Sequence, residues 1–178
     1  MKILAFGGSS SRHSINKQFA TYATTFFEGS DIQIIDLNDF EMPIFSVDKE
    51  AENGHPDAAK KFVQLIGDAD FLIVSLAEHN GSYSAAFKNI LDWSSRILGK
   101  TFQGKPMLLM ATSTGARGGR FVLDAATTRF PIHDAKLLGT YSLPEFNKTF
   151  SSTDGIINEE LLAAFKDVIE EVKKKLEG

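Results

Sequence analysis

An α/β three-layer sandwich, with five parallel strands in the order 2-1-3-4-5 between two layers of helix, is the fold this sequence predicts. Three observations predict it. Short apolar runs alternate with helical periodicities as β-α-β-α-β-α-β-α-β-α, the pattern of a parallel sheet joined by right-handed crossovers. The runs Phe71–Leu76 and Pro106–Ala111 are apolar nearly throughout, as strands covered on both faces must be. Polar turns rich in glycine and hydroxyl groups follow the first, third and fourth strands, where an open parallel sheet places its ligand crevice.

The elements follow in order. Ile3–Phe6 is a short apolar strand ending at Gly7-Gly8, and Ile15, Phe19, Tyr22, Ala23 and Phe26 recur at helical spacing after a serine-rich turn. Asp31–Leu37 is a second strand. Residues 38–55 hold Pro43, Gly54 and mixed polar residues and read as a loop, with an apolar island at Met42–Phe45 that must pack on something or cover something. Pro56 suits the first turn of a helix carried by Phe62, Val63, Leu65 and Ile66. The strand Phe71–Leu76 then turns through Glu78, His79, Asn80 and Gly81, where Asn-Gly tolerates positive φ, and Ser82 is the expected N-cap of the next helix. That helix presents Phe87, Ile90, Leu91, Ser94, Ile97 and Leu98 to the sheet. Trp93 stands to one side, fit either to pack under a loop or to face a partner, and Asp92 with Arg96 forms a surface pair. After the strand Pro106–Ala111 and a glycine-rich turn come a helix at Arg120–Arg129, a fifth strand at Lys136–Leu143 and an amphipathic helix at Glu159–Leu176.

Composition narrows the function. An apolar fraction of 43%, a charged fraction of 24% and 178 residues suit one globular domain, residues 1–178. A net charge of −4 gives no general attraction to nucleic acid or to anionic membranes. With no cysteine there is no thiol catalysis, disulfide or thiolate metal site. No apolar run approaches the roughly 20 residues of a membrane span, and the N-terminus lacks a signal-peptide pattern, so a cytoplasmic location is expected. His13, His55, His79 and His133 lack metal-ligand spacing and read as surface or loop residues. Gly99-Lys100-Thr101 fails as a phosphate-binding P-loop because Ser94 stands where its first glycine is needed. No G-x-G-x-x-G fingerprint and no G-x-S-x-G elbow is present.

The three turns converge on one sheet edge. The first, Gly8–Asn16, joins hydroxyls, backbone N–H groups and Arg12 at a helix N-terminus, the chemistry of an anion site. The second, Glu78–Ser82, is shaped more than charged, and the glycines of the third, Ser113–Gly119, let a flat ligand approach the backbone. Together they point to a small, flat, phosphorylated ligand.

Three motifs, in order, resemble the NADPH-dependent FMN reductase family of flavodoxin-like proteins, which includes quinone, chromate and azo-dye reductases. Residues 8–16, G-S-S-S-R-H-S-I-N, are similar to the family's G-S-x-R-x-x-S-x-N, with one residue fewer between arginine and serine. Residues 77–93 follow its long P-E-Y-N-G-S-x-P-G-x-L-K-N-x-L-D-W, and residues 113–119 its S-x-G-x-x-G-G. The resemblance implies that Ser9, Ser11, Arg12, Ser14 and Asn16 hold an FMN phosphate. It implies that Glu78, His79, Asn80, Gly81 and Ser82 line the isoalloxazine ring, and that Ser113, Thr114, Gly115 and Ala116 flank its other edge. It further implies NAD(P)H as co-substrate, a small-molecule electron acceptor, and a homodimer or homotetramer packed through the helix after the central loop. Ala77 replaces the family's proline, His79 its tyrosine, and Ser84-Ala85 its proline-glycine. A histidine near the ring could donate to the flavin, and Phe45 could cover it. Two other readings remain open at this point: a flavodoxin-type electron carrier without NAD(P)H oxidation, and a binding module that kept only the fold.

Overall fold

The structure, a computed structural model, describes residues 1–178. Five strands form a parallel sheet: β1 (Lys2–Gly8), β2 (Asp31–Ile35), β3 (Phe71–Leu76), β6 (Pro106–Thr112) and β7 (Lys136–Leu143). Their order, β2-β1-β3-β6-β7, is the expected 2-1-3-4-5. Strand β1 pairs with β3 through Gly8 opposite Leu76, so the turns that leave these two strands start side by side at the switch point.

Alternation along the strands builds two cores. Leu4, Phe6, Leu72, Val74, Leu76, Met107 and Leu109 meet α3 (Asp57–Asp68), α4 (Ala85–Ile97) and α5 (Arg120–Arg129) through Phe62, Ile66, Phe87, Ile90 and Val122. The intervening residues Ile3, Ala5, Phe71, Ile73, Leu108 and Met110 meet α1 (Ile15–Thr24) and α7 (Glu159–Glu177) through Phe19, Ala23, Phe165, Ile169 and Val172. Successive strand side chains point to opposite faces, so strands apolar throughout feed both layers at once.

Several expectations need correction. Residues 38–55 are not a plain loop: a 3₁₀ turn, Leu37–Phe40, and a short helix α2, Val47–Asn53, lie within or across them. Helix α2 buries no residue. It is held by its Ser46 cap and by Glu50, whose carboxylate takes Arg96 at 2.9 Å and His55 at 3.0 Å. Arg96 therefore does not pair with Asp92, which takes Lys88 at 2.6 Å. Pro56 stands at the N-cap of α3, one residue ahead of its first turn. Leu98 is 38% exposed because the helical stripe ends before it. The segment after β7, not anticipated from periodicity, folds into a short helical turn α6 (Phe146–Thr149) and a hairpin of β8 (Phe150–Ser151) with β9 (Gly155–Ile156).

The apolar island does pack. Phe45 meets Trp93 edge-to-face at 5.0 Å between centroids, and the Trp93 indole donates to the Pro43 carbonyl at 2.7 Å. Asn89 completes the clasp by accepting from the Phe45 N–H at 2.8 Å. Trp93 is fully buried within the chain, which resolves its placement in favour of packing under a loop. His133, expected at the surface or in a loop, lies in the connection after α5 and is buried there. It accepts from Arg129 Nε at 3.1 Å, which leaves Nδ1–H to donate to the Gly99 carbonyl at 2.9 Å.

Candidate functional site at the carboxyl edge of the sheet

The first turn folds back on its own serines. Ser9 Oγ accepts from Ser11 N–H at 3.1 Å, Ser11 Oγ from His13 N–H at 3.3 Å, and Ser14 Oγ caps α1 by accepting from Lys17 N–H at 3.1 Å. Ser10, Arg12, Ile15 and Asn16 keep their backbone N–H groups without a partner in the chain. These are the orphan donors expected ahead of and inside a helix's first turn, where the dipole also favours an anion.

Asn16 ties this turn to the rest of the sheet edge. Its side-chain amide is buried and exchanges two hydrogen bonds with the Thr112 backbone at the end of β6, both at 3.1 Å. Its Oδ1 also accepts from the buried Ser75 hydroxyl of β3 at 2.7 Å. One side chain thereby joins α1, β3 and β6 where all three polar turns begin.

The second turn is a small antiparallel hairpin of β4 (Glu78–His79) and β5 (Ser82–Tyr83). Asn80 and Gly81 at its tip have φ of 52° and 74°, the pair of positive values a tight two-residue hairpin requires. Because the chain is paired at Ser82, α4 starts later, and its N-cap is Ser84 instead of the expected Ser82. Ser84 Oγ accepts from Phe87 N–H at 3.1 Å and donates to the Gly8 carbonyl at 2.7 Å, pinning the hairpin to β1. Below it Tyr83 lies parallel to Phe130 with its hydroxyl buried and unpaired, and burial pushes that phenol's pKa up. Glu78 reaches the other way. Helix α5 begins after Gly119, which has no side chain to cap it, and Glu78 Oε2 accepts from Val122 N–H at 3.1 Å in its place.

The third turn is held open from behind. The carbonyls of Ser113 and Gly115 accept from Phe146 and Glu145 N–H, each at 3.0 Å. Ser113, Thr114, Gly115 and Ala116 donate their own N–H groups to nothing in the chain. Gly118 closes the turn with φ of 59°, and a Cβ there would lie 2.6 Å from Ser142 Oγ.

The turns enclose a hollow of about 280 Å³. Of the expected site residues, Ser9, Ser11, Ser14, Asn16, Glu78, His79, Ser113 and Thr114 line it. Asn80, Gly81 and Ser82 form the exposed hairpin tip beside it, and Gly115 and Ala116 continue the third turn outward. The Arg12 side chain lines a separate groove along α1. Four lining residues stood outside the expected site set: His13, Ile15, Ala77 and Thr112. Thr112 ends a buried strand, and that position was its only signal; Ala77 follows one and was marked in addition by standing where the family motif has proline.

This is a flavodoxin-like α/β protein with its crevice at the topological switch point. The chain belongs to the NADPH-dependent FMN reductase family, whose model matches residues 1–148. It is 37% identical to a 2-hydroxy-1,4-benzoquinone reductase from Burkholderia sp over 119 residues, covering 66% of this chain and 63% of that protein. It is 27% identical to an NADPH azoreductase from Bacillus sp. over 177 residues, covering 97% and 91% of the two chains. The matched stretches of several curated quinone reductases span only about two-fifths to under two-thirds of their length, 42% for the one from Escherichia coli K12. Among solved structures, a flavoenzyme NAD(P)H:(acceptor) oxidoreductase from Paracoccus denitrificans superposes with a TM-score of 0.73 at 19% identity, covering 97% of each chain. At that identity the likeness concerns the fold.

Proposed function

We propose that the protein is an FMN-dependent NAD(P)H oxidoreductase that passes hydride from NAD(P)H through bound FMN to a quinone, an azo compound or a similar small acceptor. The observation that carries this reading is the hollow itself: three turns, the first and third bearing unpaired backbone N–H groups, meet at the switch point of a chain in this family.

The residues fit such a cofactor. A phosphate calls for donors at a helix N-terminus, and the free N–H groups of Ile15 and Asn16 supply them in the hollow, with Ser9, Ser11 and Ser14 beside them. A flavin ring carries acceptor oxygens and a ring nitrogen along one edge. Ser113, Thr114, Gly115 and Ala116 face that need with four free donors, and Glu78 to Ser82 border the opposite side. Asn16 and Glu78 contribute chiefly by holding the turns in register, since their side chains already bond Thr112, Ser75 and Val122. FMN, once bound, supplies the two-electron chemistry, so the protein has to bind, orient and leave one ring face open, with no acid–base residue required.

The same reading makes the protein a cytoplasmic homodimer or homotetramer. Ile44 and Val47, 77% and 67% exposed beside the Trp93 clasp, offer apolar surface next to α4 for a second subunit. No helix is long and apolar enough to cross a membrane.

The test is a titration of purified protein with FMN, followed by anaerobic NADPH. Quenched flavin fluorescence, a perturbed visible spectrum and then rapid bleaching support the reductase. FMN binding with negligible bleaching would mean an electron carrier instead, and failure to take up FMN would overturn the reading altogether.

A further inference from the structure

Beside the hollow, and sharing His13 and Ser14 with it, runs a second groove of about 460 Å³ between α1 and the β8–β9 hairpin. Its charge is unlike that of the molecule. The chain carries 23 acidic and 19 basic residues, yet Arg12, His13 and Lys17 line this groove together with hydroxyl and amide side chains, and no carboxylate does. Two acids bond residues that line the groove, and both are committed. Asp36 takes Lys17 Nζ at 2.6 Å, and Asp154 accepts from the Ser151 and Thr153 hydroxyls at 2.9 and 2.7 Å. Arg12 has no acidic partner. At one end Tyr22 gives the groove a flat aromatic wall, fixed by Phe150 and Phe165 at centroid distances of 5.5 and 6.0 Å.

We propose that this groove is the subsite for the phosphorylated adenosine end of NADPH, with Arg12 facing its 2′-phosphate and Lys17, whose charge is shared with Asp36, beside it. The inference rests on the reductase reading and adds to it where the dinucleotide lies and a preference for its phosphorylated form. A nicotinamide stacked at the hollow would have its remaining length to place, and this groove shares a wall with the hollow through His13 and Ser14, whereas the depression reached by Ser10 of the same turn is bordered by Glu41 and carries no cation. An adenosine carrying phosphates needs room, cations and hydroxyl partners, and a volume of this size is within the range of small-molecule sites. A free guanidinium with no competing carboxylate is what distinguishes a 2′-phosphate from a 2′-hydroxyl. The division of labour inside the first turn follows: Ser9, Ser11, Ser14 and Asn16 line the hollow, and Arg12 lines the groove.

The experiment is calorimetric titration of FMN-loaded and FMN-free protein with 2′,5′-ADP, 5′-ADP and inorganic phosphate, on wild type, Arg12→Ala and Ser152→Glu. Ser152 is exposed on the hairpin rim, so Ser152→Glu brings a carboxylate to the groove without touching the first turn. Expected are 2′,5′-ADP binding to both forms of the wild type, binding at least about tenfold tighter than 5′-ADP, and a loss of about tenfold or more in each variant. FMN affinity should be unchanged in Ser152→Glu. Displacement of FMN by 2′,5′-ADP, equal binding of the two ADP forms, or indifference to Ser152→Glu would overturn the assignment. Saturation by inorganic phosphate at the concentrations that saturate with 2′,5′-ADP would also overturn it, by marking a bare phosphate site. FMN uptake is read separately, so failure of the reductase reading and failure of this subsite give different results.

Discussion

The side-chain amide of Asn16 and the backbone of Thr112 form a closed two-bond ring across 96 residues of sequence, with Nδ2 donating to the Thr112 carbonyl and Oδ1 accepting its N–H, each at 3.1 Å. A buried amide that satisfies a buried backbone pair in this way is costly to replace, because every partner it leaves is shut off from water. Asn16→Ala should strand the Thr112 N–H, its carbonyl and the Ser75 hydroxyl, destabilising the protein by ~2–4 kcal/mol. Asn16→Asp should be no milder, since it sets an acceptor against the Thr112 carbonyl. Urea unfolding measures the loss, and FMN titration should show weakened affinity in any variant that still folds. A loss under ~0.5 kcal/mol for Asn16→Ala would show that the ring does not hold the edge together.

Glu78 supports the site in a comparable way. Its carboxylate caps α5 at Val122 N–H, where Gly119 cannot, and the helix dipole favours a negative charge there. Glu78→Ala should cost ~1 kcal/mol. Glu78→Gln, which keeps an acceptor and loses the charge, should cost less. Thermal melts of the three proteins test the order, and equal melting temperatures for wild type and Glu78→Ala would contradict the capping role.

How much of this was legible in the sequence depends on where each signal resides. Strand β3 shows itself because both of its faces are buried, so apolar residues run without interruption, and the order of the sheet follows from crossovers that can wind only one way. Helix α2 does not show itself. It buries nothing, and what holds it is Glu50 reaching Arg96 on a helix 46 residues away, which leaves no periodicity to read. The turns were found because glycine, asparagine and serine are demanded by local geometry at Asn80-Gly81 and Ser14. The bonds from Asn16 to Thr112 and from Glu78 to Val122 join distant stretches, and an asparagine or glutamate looks the same in sequence whether it meets a ligand, water or a backbone. The groove depends on the β8–β9 hairpin, whose strands of two residues each carry too little alternation to detect.

Two glycines with positive φ should respond differently to alanine. At Gly81 a Cβ meets open space, so Gly81→Ala adds only the strain of the left-handed backbone, ~1–2 kcal/mol. At Gly118 the same strain is joined by overlap with Ser142 Oγ at 2.6 Å and the Leu143 carbonyl oxygen at 2.8 Å. Gly118→Ala should be the more destabilising by at least ~1 kcal/mol and should weaken FMN binding by displacing the third turn. Paired urea titrations decide it, and equal losses would mean that the third turn shifts freely.

Asp36 should set part of the acid limit of stability. The Lys17 ammonium bonded to it at 2.6 Å holds its carboxyl below the usual carboxylate range, against an opposing effect of burial. A carboxyl with a lowered folded-state pKa gives stability that is present above the unfolded value of about 3.9 and is lost as pH falls through the lower folded value. Asp36→Asn removes this contribution, so its stability should fall less steeply than the wild type's below about pH 4 and should be lower at neutral pH. The same substitution frees the Lys17 ammonium toward the groove, where its Nζ no longer shares its charge with a carboxylate. Binding of 2′,5′-ADP to Asp36→Asn should therefore tighten and become more sensitive to salt. Urea melts across the acid range test the first effect and calorimetry at two ionic strengths the second; parallel stability curves for the two proteins would remove Asp36 from the account of acid unfolding.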